Sequence, residues 1–69
     1  MEGKIILRYV LYNVANEKYL GKDGFLTIDI EKAMKTEDET KAKGMIEYLG
    51  GKCLWKVKKC KISYEVDDI

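Results

Sequence analysis

The feature that most constrains this fold is an extended segment, residues 4–14, in which β-branched and aromatic residues dominate. Both faces of the predicted strand are largely apolar. Odd positions carry Ile5, Leu7, Tyr9 and Leu11, and even positions carry Ile6, Val10, Tyr12 and Val14, with Arg8 among them. Such a strand needs cover on both sides. A chain of only 69 residues buries about 60% of its unfolded surface, so we expect a second molecule to supply part of the cover.

Short extended segments and turns are predicted after this strand. Residues 18–20 are typical of a return strand, and residues 25–27 continue in an extended form. Between them, residues 21–24 contain Asp-Gly, a strong turn signal because glycine accepts positive φ. We expect Asp29 to cap a short helical turn over residues 30–35.

A longer helix is predicted next. Thr36 is a capping residue, and Glu39 follows three positions later, which is the spacing of a capping box. The helix carries one apolar stripe at i, i+3, i+4 and i+7, which suits packing on a sheet: Ala42, Met45, Ile46 and Leu49. The pair Gly50-Gly51 is expected to end it.

The last third of the chain alternates like a strand, but its apolar phase shifts by one residue. Cys53, Trp55 and Val57 share one parity, whereas Cys60, Ile62, Tyr64 and Val66 share the other. A β-bulge near Lys58-Lys59 explains the shift, and a tight hairpin at the same point is the alternative. Residues 67–69 are expected to fray.

These elements predict an α+β fold in the order β-β-(β)-α-β, as a single domain over residues 1–69. The sheet is a small antiparallel one of three to four strands, and one main helix packs on one of its faces. Lysine or arginine interrupts every long apolar stretch, which excludes a membrane span. The first residues show no secretory signal. We expect a cytoplasmic protein, with Cys53 and Cys60 as reduced thiols packed as small hydrophobic residues.

The sequence contains few residues or motifs that would support catalysis. The chain has no histidine to act as a base near neutral pH, no Gly-x-Ser-x-Gly motif and no phosphate-binding glycine loop. Its two cysteines are not spaced as zinc ligands. The sequence therefore predicts a protein that is not an enzyme and that uses no cofactor or metal.

A run of lysines is the most prominent charge feature. Five lie within ten residues, with Trp55 among them: Lys52, Lys56, Lys58, Lys59 and Lys61. Strand alternation predicts that Lys52, Lys56 and Lys58 share one face. A basic stripe beside an aromatic residue is typical of nucleic-acid binding. Lysines also protect an edge strand from aggregation. The net charge of only +1 favours the edge strand, and the parity of Trp55 predicts that it points into the core.

Gly44 and the tyrosines are candidates for partner contact. Glycine within a helix costs about 1 kcal/mol relative to alanine, and Gly44 shares an outward face with Tyr48. Either another backbone approaches there, or the glycine is simply tolerated on an exposed face. The five tyrosines, Tyr12 among them, suit an interface, and they equally suit a small sheet whose core never fully closes.

Several segments resemble short uncharacterised proteins of Gram-positive phages and prophages. The likeness covers about residues 8–58 and lies in Arg8-Tyr9-Val10-Leu11, Lys18-Tyr19-Leu20, residues 27–33 and the capped helix ending in Gly-Gly. The chain departs from that pattern in its lysine-rich final strand, and where Lys35-Thr36 replaces a frequent aromatic residue. That family has no established catalytic residues. The resemblance implies a viral origin and a role in blocking or redirecting a host factor.

We therefore expect a non-enzymatic phage-type accessory protein that binds and inhibits a host protein in the host cytoplasm, with antiviral-defence proteins among the candidates. We also expect the protein to form homo-oligomers, and we do not expect it to bind a membrane. The predicted contact residues are Tyr12, Gly44 and Tyr48, with Lys56, Lys58 and Lys61 steering the partner. The alternatives are a small-ligand or nucleotide-sequestering oligomer and, less favoured, nucleic-acid binding through the lysine-rich strand.

Overall fold

Residues 2–51 and 53–69, which the computed structural model describes, form a four-stranded antiparallel sheet with one helix packed on it. The elements are β1 (Glu2–Asn13), β2 (Lys18–Leu20), β3 (Leu26–Thr27), α1 (Glu39–Leu49) and β4 (Trp55–Val66). The strand order is β3-β2-β1-β4. The predicted α+β class and element order are confirmed. The position expected for Lys52 lies outside the described residues.

The long ladder between β1 and β4 is unbroken. It runs in one register from Glu2 opposite Val66 to Asn13 opposite Trp55, and Lys58 and Lys59 face Val10 and Tyr9 within it. Both explanations of the phase shift, a bulge and a hairpin near Lys58-Lys59, are therefore wrong.

The apolar phase shifts because the covering element changes face. Directly opposed residues of an antiparallel pair point to the same side. Trp55 and Val57 pack against the cluster that includes α1, on the odd-numbered face. Cys60 and Ile62 are half-buried on the even-numbered face, where they line a cavity together with Ile30. A straight strand thus shows two phases: the chain covers opposite faces of β4 at Trp55 and Val57 and at Cys60 and Ile62, whereas Tyr64 and Val66 stay exposed.

The hydrophobic core lies between α1 and one end of the sheet. Leu11, Leu20, Ala42 and Ile46 form its buried cluster, and five half-buried side chains pack around them: Tyr9, Met34, Met45, Trp55 and Val57. The inward direction predicted for Trp55 is confirmed. The predicted helix stripe holds except at its end, since Leu49 is 42% exposed.

The helix begins two residues later than the capping pattern predicts. Asp38, not Thr36, is the N-cap: its carboxylate accepts hydrogen bonds from the amides of Thr40 at 2.7 Å and Lys41 at 3.2 Å. Thr36 is held elsewhere, because its backbone exchanges two hydrogen bonds with that of Tyr9, at 2.8 and 2.9 Å. The predicted end is confirmed, with Gly50 in the left-handed conformation at φ 74°.

The short helical turn predicted over residues 30–35 is a single turn and no helix. Asp29 caps it as expected, since its carboxylate accepts from the amide of Glu31 at 2.9 Å. The amide of Met34 then donates to Leu20 at 2.9 Å, and Ala33 forms a bridge with Gly21. These long-range hydrogen bonds draw the chain into an extended path before a second turn forms.

The cysteines differ in their surroundings. Among the described residues, Cys53 and Cys60 form no disulfide, in agreement with the prediction of free thiols. Cys60 is half-buried, but Cys53 is exposed in the turn that precedes β4. The expectation that both pack as small hydrophobic residues is therefore wrong for Cys53, because the strand begins only at Trp55.

The molecule is elongated, measuring 48 × 23 × 18 Å. The body consists of α1, β2, β3 and the ladder residues 9–13 and 55–59; the arm consists of residues 2–7 and 61–66. In the body, Val10 and Leu11 point to opposite faces and are each 1% exposed, whereas in the arm Ile5 is 66% and Val66 61% exposed. The chain thus covers both faces of its first strand in the body but leaves Ile5 and Leu7 in the arm exposed, as expected of a chain that cannot cover the whole strand by itself. Cover by a second molecule stays a prediction.

Candidate protein-binding surfaces

The residues predicted to contact a partner lie on three separate surfaces. Gly44 and Tyr48 lie together on α1, Tyr12, Lys56 and Lys58 lie together on the even-numbered face of the sheet, and Lys61 lies on the odd-numbered face of the arm. The β1–β4 register produces this division, because it alone determines which lysine shares a face with which tyrosine.

The first surface is a groove on α1, which we call the helix groove. Its lining is almost wholly apolar, its volume is about 540 Å³, and it is formed by Thr36, Lys41, Gly44, Met45, Tyr48 and Leu49. Tyr48 is 92% exposed at its rim. An apolar groove beside a projecting aromatic side chain suits the capture of an apolar side chain from another protein.

Nothing in the described part of the chain requires a glycine at position 44. Apart from its chain neighbours and the backbone of its own helix, a Cβ built there meets no atom within 4 Å, and Gly44 does not have the positive φ that Gly24 and Gly50 have. Alanine would therefore fit and favour the helix. The absent side chain keeps the floor of the helix groove low, which allows a partner backbone to approach.

The second surface is a tyrosine–lysine cluster: Tyr12, Tyr19, Lys56 and Lys58. Tyr12 lies opposite Tyr19 on one side and Lys56 on the other, so all three side chains share a face. The tyrosine rings meet edge to face with centroids 5.3 Å apart. The Nζ of Lys58 lies 3.8 Å from the centroid of the Tyr12 ring, which is a cation–π contact. Sequence reasoning missed Tyr19, whose place depends on the β1–β2 register.

The lysines of β4 are divided between two faces. Lys56 and Lys58 point to the even-numbered side, as predicted, whereas Lys59 and Lys61 point to the odd-numbered side. β4 is an edge strand, as the protective interpretation of the lysines requires. Trp55, packed against the core, is not part of an exposed basic stripe. The nucleic-acid hypothesis thereby loses the aromatic residue on which it depended.

A fourth surface, the outer edge of the arm, was missed from the sequence. Its side chains include Tyr64 at 53% and Val66 at 61% exposure, and Glu65 lies between them. The available signal was the change of charge from the lysine run to Glu65, Asp67 and Asp68. The sequence predicts Glu65 in the strand and Asp67 and Asp68 in a frayed end, and residues 67–69 do follow the end of β4.

Within residues 2–51 and 53–69, no three side chains of the metal-ligating types form a group that could hold an ion. No helix in the described part of the chain has the length and apolar character needed to cross a membrane. Comparison with protein-family models, with curated proteins and with solved structures gives no match to this chain. The function must therefore be argued from these surfaces.

Proposed function

We propose that this protein is a non-enzymatic, phage-type accessory protein that binds a host protein and inhibits it by occupying its surface. The observation that carries the proposal is the helix groove, where Tyr48 is 92% exposed beside the open floor at Gly44. A monomeric helix gains nothing from either feature. Both features favour binding when a second protein packs against α1, because the Tyr48 ring becomes covered and the space at Gly44 becomes filled.

The chemistry of the helix groove defines the partner. Its apolar lining accepts an aliphatic or aromatic side chain, and Tyr48 adds a rigid ring with a hydroxyl that finds a hydrogen-bond partner when it is covered. Lys41 lies at the rim. The partner segment is therefore an apolar anchor flanked by acidic residues.

Lysines on β4 support the encounter. Lys56, Lys58 and Lys61 are exposed on the edge strand β4, with Lys61 on the face that α1 covers and the other two on the opposite face. Such charges raise the association rate towards an acidic surface more than they raise the final affinity. Because the net charge is only +1, the attraction is local and depends on orientation.

The experiment is affinity capture from lysates of Gram-positive hosts with wild-type protein, Tyr48→Ala and Phe25→Ala. Phe25 is the matched control, since it is a 75% exposed aromatic residue outside the helix groove. We expect one saturable partner that wild type and Phe25→Ala retain and that Tyr48→Ala binds at least about tenfold more weakly. Equal capture by all three proteins, or no saturable partner at all, contradicts the proposal.

The tyrosine–lysine cluster favours a second candidate function, nucleotide sequestration by an oligomer. An aromatic pair with an ammonium group beside it offers a stacking surface for a base and a charge for a phosphate. Under this alternative, a nucleotide raises the melting temperature of wild type, and Lys58→Gln reduces the increase. A shift that Lys58→Gln leaves unchanged argues against this cluster as the binding site.

A further inference from the structure

The outer edge of β4 presents unpaired backbone groups. On the side of β1 away from β4, Tyr9 exchanges hydrogen bonds with Thr36, so odd-numbered residues of β1 direct their amides away from β4. Their partners on β4 consequently direct theirs away from β1: Lys61 opposite Leu7, Ser63 opposite Ile5, and Glu65 opposite Gly3. No strand within residues 2–51 and 53–69 pairs with that edge.

Charge is distributed asymmetrically along this edge. The first half of β4 carries Lys56, Lys58, Lys59 and Lys61, and the acidic residues follow at the other end: Glu65, Asp67 and Asp68. When two copies of such a strand pair antiparallel, the basic half of each lies against the acidic end of the other. A parallel pair would oppose like charges. The edge is therefore complementary to itself in the antiparallel direction only.

We propose that two copies of this chain pair antiparallel along residues 60–66, with Ser63 opposite Ser63 on a two-fold axis. In this register Lys61 lies opposite Glu65 of the partner subunit, and the outward amides of both edges meet in hydrogen-bonded pairs. The remaining opposed pairs are apolar: Ile62 with Tyr64, and Cys60 with Val66.

Neighbouring registers are less complementary. An axis at Tyr64 places Ser63 against Glu65 and leaves Lys61 facing Asp67, which lies beyond the end of β4. An axis at Lys61 places that ammonium group against its own copy, which is destabilising. An axis at Ile62 leaves Lys61 facing Ser63 and Cys60 facing Tyr64. An axis between two residues opposes outward amides to inward ones, so that the ladder cannot form.

The pairing also brings the apolar side chains of the two arms side by side. Ile62, Tyr64 and Val66 lie on the even-numbered face, and the partner's copies of these side chains continue the same patch across the axis. The two sheets join into one of eight strands, in which β4 no longer forms an edge. No residue of β4 lines the helix groove, so self-pairing leaves the groove open to a host protein, although Lys61 takes part in both proposals.

The register is tested by disulfide trapping in a Cys53→Ser background, which leaves Cys60 as the single thiol. In the proposed register, Cys60 and position 66 of the partner subunit form a non-hydrogen-bonded pair with Cα atoms about 4.5 Å apart, within reach of a disulfide. Within one chain the same two positions are about 20 Å apart, because a strand rises about 3.3 Å per residue. Any disulfide between them therefore links two chains.

We expect mild oxidation of Val66→Cys to give a covalent dimer as the main product, with the 60–66 linkage confirmed by peptide mass spectrometry. Tyr64→Cys is the control, and it should give only traces. A dominant dimer with Tyr64→Cys overturns the register, since a 60–64 linkage places the axis at Ile62 and a 64–64 linkage places it at Tyr64. The absence of a specific dimer with both variants overturns the pairing along this edge.

A charge-swap series tests the same contact without cysteines, and folding is checked by circular dichroism. Glu65→Lys and Lys61→Glu each oppose like charges, so each should weaken dimerisation by about tenfold or more. The double variant, Lys61→Glu with Glu65→Lys, restores opposite charges and should dimerise like wild type. Sedimentation that shows a wild-type monomer, or a double variant as weak as the singles, overturns the proposal and leaves host binding unaffected.

Discussion

Strands β1 and β4 run through both the body and the arm, yet their apolar side chains are buried in the body and exposed in the arm. In the body, Val10 and Leu11 of β1 are each 1% exposed, although they point to opposite faces. In the arm, the same ladder continues in the same register, but Ile5 is 66% and Val66 61% exposed. Local sequence thus makes the strand, whereas its burial depends on how far the rest of a short chain extends.

The largest expected difference between the two regions is in side-chain truncation. Leu11→Ala should lower the free energy of unfolding by about 2–5 kcal/mol, because it leaves a cavity in a closed core. Ile5→Ala should lower it by less than about 1 kcal/mol, since solvent already reaches that side chain. Urea unfolding measures both, and equal losses would show that the body is no better packed than the arm.

Replacing a glycine with alanine in each region tests the same difference in packing between the body and the arm. A Cβ at buried Gly21 would lie 2.7 Å from the carbonyl oxygen of Phe25, whereas a Cβ at Gly3 in the arm meets only the oxygen of Tyr64, at 3.5 Å. Gly21→Ala should therefore cost about 1–3 kcal/mol of stability, and Gly3→Ala less than about 0.5 kcal/mol. Thermal melting of both variants measures these losses of stability. A Gly21→Ala protein as stable as Gly3→Ala is the opposing result.

The helix cap tests how strongly α1 holds the body together. Asp38→Ala removes the acceptor for the amides of Thr40 and Lys41, so stability should fall by about 1 kcal/mol. Glu37→Ala, which alters an exposed neighbour that precedes the cap, should change it by less than half as much. Chemical unfolding of the pair measures the effect. A larger loss for Glu37→Ala would move the start of the helix away from Asp38.

The smallest expected effect is a gain. Gly44→Ala has open space for its methyl group and should raise stability by about 0.5–1 kcal/mol. Under the proposed function the same variant binds the host partner more weakly, because the floor of the helix groove is raised. Unfolding and capture measured on one preparation separate the two effects. A stabilised variant with unchanged binding excludes Gly44 from the contact.

The sequence predicts most of the fold, because periodicity and turn chemistry act locally. The α+β class, the strands and the end of the helix at Gly50 follow from it. The start of the helix does not, since Thr36 is bound by Tyr9, which is distant in sequence. The supposed bulge at Lys58-Lys59 fails for a related reason, because a change of covering element looks the same in sequence as a change of backbone phase.

The candidate surfaces are predictable only in part. Alternation along β4 correctly groups Lys56 with Lys58, and helical spacing groups Gly44 with Tyr48. The contact of Lys58 with the Tyr12 ring depends on a pairing register that no local pattern specifies. Whether these surfaces bind a host protein stays a prediction.

The central claim is that the body is sealed by its own chain, whereas the open β4 edge of the arm pairs with a second copy. Amide hydrogen exchange of wild-type protein at low and high concentration tests it most directly. The amides of Val10 and Tyr12, directed towards β4 inside the body, should exchange slowly at both concentrations. The amides of Lys61, Ser63 and Glu65 should exchange rapidly in dilute protein and slowly in concentrated protein. Equal exchange of these three amides at both concentrations would contradict the account.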